Sequence, residues 1–278
     1  MNLPTTFFGW IGFIWEKYSP LFWKGTLNTL ILAIAGTLIG FLLGLLVAIV
    51  RTIPLSKKDH LAKKVLIRIA NALISIYIEV FRGTPMIVQA MVIYYGAMQI
   101  LKADIPAMGA AIFIISLNTG AYMAEIMRGG ILAIDKGQTE AAQAIGMTHW
   151  QSMTSVILPQ AIRNILPQIG NNYIINVKDT SVMFIIGFTE FFASHRYIVG
   201  INNKYFPSAV IEMAGYLLMT LIASGILRLV EKGMDGSDSY ELVQEDPLTM
   251  TAGTYSHPKR GSNYDERSKE YGAEREGR

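Results

Sequence analysis

Asn118, Tyr122 and Glu125 fall four and three residues apart in an otherwise apolar stretch, so on a helix they share one face and present an amide, a phenol and a carboxylate together. A second apolar stretch is interrupted by Lys178, Asp179, Thr180 and Ser181. These groups can hydrogen-bond or ion-pair with a polar solute, but the residues for bond-breaking chemistry are missing. His60, His149, His195 and His257 are scattered, there is no Cys, and neither H-E-x-x-H nor G-x-S-x-G occurs. The phosphate-binding G-x-x-x-x-G-K-[ST] is absent as well, so this chain carries no ATP site of that kind and calls for no metal or cofactor of its own.

The elements that must position these groups are membrane helices. The 278 residues are 51% hydrophobic and 16% charged with mean hydropathy +0.35, which excludes an ordinary soluble enzyme, a nucleic-acid binder and a disulfide scaffold. Gly25 to Val50 is 26 residues without a charge, more than a ~30 Å hydrocarbon core requires. Charge-free windows follow at Gly83 to Leu101 and Ile105 to Ala124. Two further apolar stretches, Ile165 to Phe188 and about Phe206 to Leu227, carry only Lys178-Asp179 and Glu212. The expectation is an all-α polytopic membrane protein of about five spans. Charges at Lys178 and Asp179 would each cost ~2.5 to 3.5 kcal/mol at the bilayer centre, so they need partners or water and mark either a solute pathway or a buried structural network. Being adjacent, they point about 100° apart and cannot simply pair with each other.

Arg51, Lys57, Lys58, Lys63, Lys64 and Arg68 gather between the first two spans, which puts that side in the cytoplasm. Five spans then place the N-terminus outside and the C-terminus inside. Residues 1–19, with Trp10, Trp15 and Tyr18, read as an interfacial N-terminal segment. Residues 20–234 form the transmembrane domain. Residues 235–278, with six basic and ten acidic side chains and little apolar periodicity, read as a polar, disordered cytoplasmic tail.

Gly36, Gly40 and Gly44 clear one helix face for close packing, against a second subunit or within the chain. Lys64, Arg68, Asn71, Ser75, Glu79 and Arg82 step by three and four along one helical stripe that Gly83-Thr84-Pro85 breaks. In the segment 135–167, good helix formers at Gln138 to Ile145 end on Gly146, and Thr148 with Gln151 makes a capping box for a second short helix that Pro159 should stop. Such an exposed amphipathic hairpin wants a groove on a partner.

Glu140-Ala141-Ala142, then Gly146, then Val156-Ile157-Leu158-Pro159 resembles the EAA loop of ABC-importer permeases, with Val156 where Ile is commoner. YIEVFRGTP (77–85), AYMAEIMRGGI (121–131), ILPQAIRNILP (157–167) and KDTS (178–181) extend the likeness to the polar amino-acid, histidine- and glutamine-type permeases over residues 20–234. The resemblance implies the type I ABC-importer permease fold, in the bacterial cytoplasmic membrane. Two such permease subunits, the same or similar, would form the pore, ABC ATPase subunits carrying ATP and Mg would sit beneath, and an extracytoplasmic binding protein would deliver the amino acid. ATPase coupling then maps to Glu140, Ala141, Ala142, Gly146, Leu158 and Pro159, and the pathway to Asn118, Tyr122, Glu125, Lys178, Asp179 and Thr180. An ion-coupled transporter or channel using Glu125, Lys178 and Asp179 is the rival reading; a pure scaffold would gain little from charges inside its spans.

Overall fold

The structure, a computed structural model, describes residues 3–55, 60–102 and 104–234. Lys57, Lys58 and the tail 235–278, which entered the sequence argument, lie outside the described residues.

The first helix, α1 (Phe7–Arg51), starts where the Thr6 hydroxyl accepts from the Gly9 amide and runs unbroken through Pro20. Residues 7–19 of the expected interfacial segment are therefore continuous with the helix that carries the first span. The reason is a single buried stripe, Trp10, Ile14, Tyr18, Phe22, Gly25, Thr29 and on to Gly36, Gly40, Gly44 and Ala48, stepping by three and four throughout. Its aromatic half packs on the last two helices, α8 (Phe191–Asn202) and α9 (Tyr205–Met234): Phe22 meets Phe191, and Asn202 donates to the Tyr18 hydroxyl at 3.1 Å. Its glycine half packs on α4 (Ala107–Leu132).

Gly36 faces Ile115, Gly40 faces Thr119 and Gly44 faces Met123, so contacts advance together along both chains and α1 runs parallel to α4. A Cβ on Gly40 would lie 2.6 Å from the Thr119 Cβ. The three glycines thus serve packing within the chain; the alternative of a subunit contact is not what they do. Parallel α1 and α4 require the intervening chain to return to the other end, and α2 (Leu61–Gly83) and α3 (Met86–Leu101) provide that return. The span expected at Gly83 to Leu101 is only the 16 residues of α3, about 24 Å long. It ends at Lys102, whose backbone turns left-handed (φ 49°).

After α4 come α5 (Lys136–Ala144), α6 (His149–Ser152) and α7 (Leu158–Asp179). Gly130 of α4 packs on Ile165 and Thr119 bonds Asn176, so α7 runs antiparallel to α4. Pro159 does not end the second short helix as expected. A π-helical turn, Met153–Ile157, carries α6 directly into α7, and Pro159 sits in the first turn of α7, where a missing amide hydrogen is tolerated. A 3₁₀ turn, Thr180–Ile186, then leads to Gly187 (φ +79°), after which α8 continues at a 50° bend. Among the described residues three helices are long and apolar enough to cross a bilayer, and the bent pair ending in α8 makes a fourth, so the five spans expected are not all met by single helices.

Candidate functional site

Three helices meet at a buried polar knot. Asn176 Nδ2 of α7 donates to Thr37 Oγ1 of α1 at 2.8 Å and to Thr119 Oγ1 of α4 at 3.0 Å. All three side chains are buried, and the glycine face of α1 is what lets them approach. Beside the knot opens a cavity of about 550 Å³ lined by Thr84, Asn118, Tyr122, Asn172, Asn176 and Asp179, among others. Its wall on the return leg is the break Gly83-Thr84-Pro85. There Gln89 Nε2 donates to the carbonyls of Phe81 and Thr84, both at 2.9 Å, replacing the helical bonds that the break removes. Asn118 Nδ2 donates to Gln89 Oε1 at 2.9 Å and to the Phe81 carbonyl at 3.2 Å, so its amide also ties α4 to the break. The Arg82 guanidinium lies over the Tyr122 ring, 5.6 Å from its centre.

Of the six pathway residues read from sequence, Asn118, Tyr122 and Asp179 come together on this cavity. Lys178 is exposed and is not among the residues that line it, and Thr180 is fully buried, donating to the Val177 carbonyl at 2.9 Å. Glu125 lies farther along α4. Arg51 Nη1 donates to its Oε1, while Arg128 donates to Oε2 from Nε and Nη2 at 3.2 and 2.9 Å. Asn172 and Asn176 were missed. Their spacing of four was available in the sequence, but the weight there fell on charges and not on amides.

The second candidate region is the hairpin. Asp135 caps α5 by accepting from the Gly137 amide at 2.6 Å. At the other end the Gly146 amide donates to Gln143 and the Met147 amide to Ala142, a left-handed helix stop that Gly146 (φ +84°) adopts without strain. Thr148 and Gln151 form the expected capping box. Ala142 and Leu158 are buried, and Leu158 joins Met127, Ile131 and Ala161 in the core. Glu140, Ala141, Gly146 and Pro159 are exposed. So are Ile145 (80% exposed) and Trp150 (61%), two large apolar side chains at the hairpin tip that the sequence argument did not single out. Rigid caps at every end and apolar residues at the tip are what a docking element needs.

A family profile described as "Binding-protein-dependent transport system inner membrane component" matches residues 61–236, from the start of α2 through α9. The glutamine transport system permease protein GlnP of Escherichia coli (strain K12) is 37% identical over 222 residues, covering 80% of this chain and 95% of that one. The arginine transport system permease protein ArtQ of Bacillus subtilis (strain 168) is 32% identical, over 79% of this chain and 94% of its own. Among solved structures, a chain of an amino acid ABC transporter with histidines superposes with a TM-score of 0.67 at 40% identity, covering 78% of this chain and 95% of that one. A chain of the inward-facing MetNI methionine ABC transporter gives 0.65 at 21% identity, over 79% and 98%, a likeness of fold alone.

Proposed function

The chain belongs to the binding-protein-dependent transport system inner membrane components, and from that premise we propose its place in transport. It is the permease subunit of an ATP-binding-cassette importer that carries a polar amino acid across the membrane, and ATP is hydrolysed on a separate chain. The feature that carries the assignment is the capped hairpin Asp135 to Leu158 with Ile145 and Trp150 exposed at its tip, set within the matched residues 61–236. Ile145, Gly146 and Trp150 seat in the ATPase, while buried Ala142 and Leu158 pass its motion into α4 and α7. Alternating access follows when the ATPase selects between two arrangements of these helices.

The cavity beside the knot is the amino-acid site. Asp179 faces the ammonium group of the solute, and Tyr122 and Asn172 supply hydrogen-bonding groups. A volume of about 550 Å³ takes a free amino acid with water. Nothing favours the ion-coupled rival: of its three residues only Asp179 lines the cavity, while Glu125 lies farther along α4 and Lys178 is not among the lining residues.

The working unit contains two permease subunits, ATPase subunits and an extracytoplasmic binding protein, since one chain encloses only one side of a pathway. The α2–α3 leg counts as one crossing and α7 with α8 as another. Five crossings then put the N-terminus outside and the hairpin and C-terminus in the cytoplasm. Purification of the tagged chain from its own membranes in mild detergent, with mass spectrometry of what accompanies it, tests the assignment. A stoichiometric partner bearing a phosphate loop is the expected result; a chain that purifies alone in several mild detergents overturns ATP coupling.

A further inference from the structure

A second cavity, about 440 Å³, opens between α4 and α7 toward the hairpin; Glu125, Asn164 and Gln168 line it together with Gly129, Gly130 and Ala133 and the apolar Ile126 and Ile165. Its walls continue those of the first. On α4, Asn118, Tyr122, Glu125, Gly129 and Ala133 step by four, three, four and four. On α7, Asp179, Asn176, Asn172, Gln168 and Asn164 step back by three and then by fours. Both cavities therefore share one face of each helix, and a solute leaving the first passes the second after about 10 Å, the rise from Tyr122 to Gly129. Resting on the importer assignment, we propose that Glu125, Asn164 and Gln168 form a second station, where the amino acid pauses before release toward the cytoplasm.

The chemistry of the station suits a zwitterion. Arg51, Glu125 and Arg128 together carry one net positive charge, with the carboxylate held between two guanidiniums that keep further N–H groups. An α-carboxylate adds to the arginine side of this cluster, and an ammonium group adds to the Glu125 oxygens. Asn164 and Gln168 stand opposite, exposed and making no hydrogen bond with another described residue. No side chain fills the space: a Cβ on Gly129 would meet nothing within 4 Å, whereas Gly130 lets Ile165 close against α4 behind it. Net charge near zero for cluster plus substrate carboxylate, and loose amides opposite, hold a solute weakly enough to let it go.

The chain has no Cys, so Gln168→Cys places its single thiol at the station. The whole importer carrying this change is reacted, in inside-out vesicles, with a small water-soluble maleimide, and modification of this chain is read by mass spectrometry. A mixture of the twenty protein amino acids is expected to slow modification at least fivefold. Arg163→Cys, exposed on the neighbouring face of α7, is expected to keep its rate. Gly129→Leu fills the cavity and is expected to cut uptake at least tenfold while ATP hydrolysis stimulated by the loaded binding protein persists. Gly96→Leu, in open space on α3, leaves uptake unchanged. Unslowed modification at position 168, or normal uptake by an assembled Gly129→Leu importer, overturns the second station. Failure of the importer assignment itself shows separately, as absence of ATP-driven uptake by the unaltered complex. If Gly129→Leu does not assemble, the thiol measurement decides alone.

Discussion

Asp179 is the one carboxylate among the described residues that line the larger cavity, and its neighbour Lys178 is not among them. Asp179→Asn keeps the volume and one acceptor oxygen but replaces the other with an NH2 donor and removes the charge. Uptake by the intact importer is expected to fall about tenfold, with expression and ATPase association retained, because one charge-assisted bond to an ammonium is worth ~1.5 to 3 kcal/mol. Normal uptake kinetics in radiolabelled transport assays take Asp179 off the pathway. Asn176 is different in kind, since both its amide bonds end on protein hydroxyls. Asn176→Leu leaves Thr37 and Thr119 without their partner. At ~0.6 kcal/mol for an average interhelical bond in a membrane, it is expected to lower the thermal midpoint of the purified complex by a few degrees. An unchanged midpoint removes the knot from the account of stability. Sequence spacing picked out Asn118 and Tyr122 because helical periodicity is a one-dimensional signal. Lys178, Asp179 and Thr180 could not be sorted the same way: consecutive residues point about 100° apart, and which of them meets the cavity depends on how α7 packs.

α1 and the hairpin show what determines an element. The aromatic cluster before Gly25 and the charge-free window after it divide α1 into an interfacial piece and a span, whereas its buried stripe, aromatic before Gly25 and small-residue after it, runs through Pro20 without a break. The stripe was legible; what covers each half, α8 and α9 for one and α4 for the other, was not, because it follows from contacts distant in sequence. Gly40→Leu drives a branched side chain into Thr119 and forces α1 off α4. Overpacking of this sort costs ~1 to 3 kcal/mol or more, and the expected readout is a sharp loss of assembled complex on size-exclusion chromatography, against no loss for Gly96→Ala, which meets nothing within 4 Å. The hairpin was read almost in full, since Gly146 and the Thr148–Gln151 box act over three or four residues. The exposure of Ile145 and Trp150 escaped, and so did the π turn before Pro159, because a proline in the first turn of a helix and a proline ending one look alike without the backbone. Gly146→Val places a β-branched residue at φ +84°. The expected result is an importer that assembles poorly with its ATPase, or hydrolyses ATP without uptake, whereas substrate-stimulated hydrolysis with normal uptake refutes the docking role.

The orientation of the whole molecule follows from pairings that no single helix reveals. α1 and α4 run parallel, and the ion pair between Arg51 and Glu125 sets the end of α1 beside the last two turns of α4. The hairpin emerges from that same end of α4, so the basic end of α1 and the hairpin lie on one side of the bilayer. Lys63, Lys64 and Arg68 of α2 return from this side, and positive residues favour the cytoplasm. Phe7, by contrast, stacks on Phe206 at the start of α9, and Lys204 lies 4.9 Å from the centre of the Trp10 ring, which together define the opposite rim. With no native Cys to interfere, Thr5→Cys is expected to react with a membrane-impermeant maleimide on intact spheroplasts, and Gln138→Cys only after the membrane is opened. The reverse pattern overturns the orientation and, with it, ATPase docking at the hairpin. A chain stopped after Met234 is expected to retain uptake within about twofold, because residues 235–278 carry 16 charges in 44 residues and too little apolar surface to bury, and the family match ends at residue 236. Loss of uptake by a well-expressed truncated chain would give the tail a role in assembly. The expectation for the truncated chain rests on the helical region itself: the Arg51–Glu125 pair, the knot at Asn176 and the break at Thr84 all lie within residues 37–179.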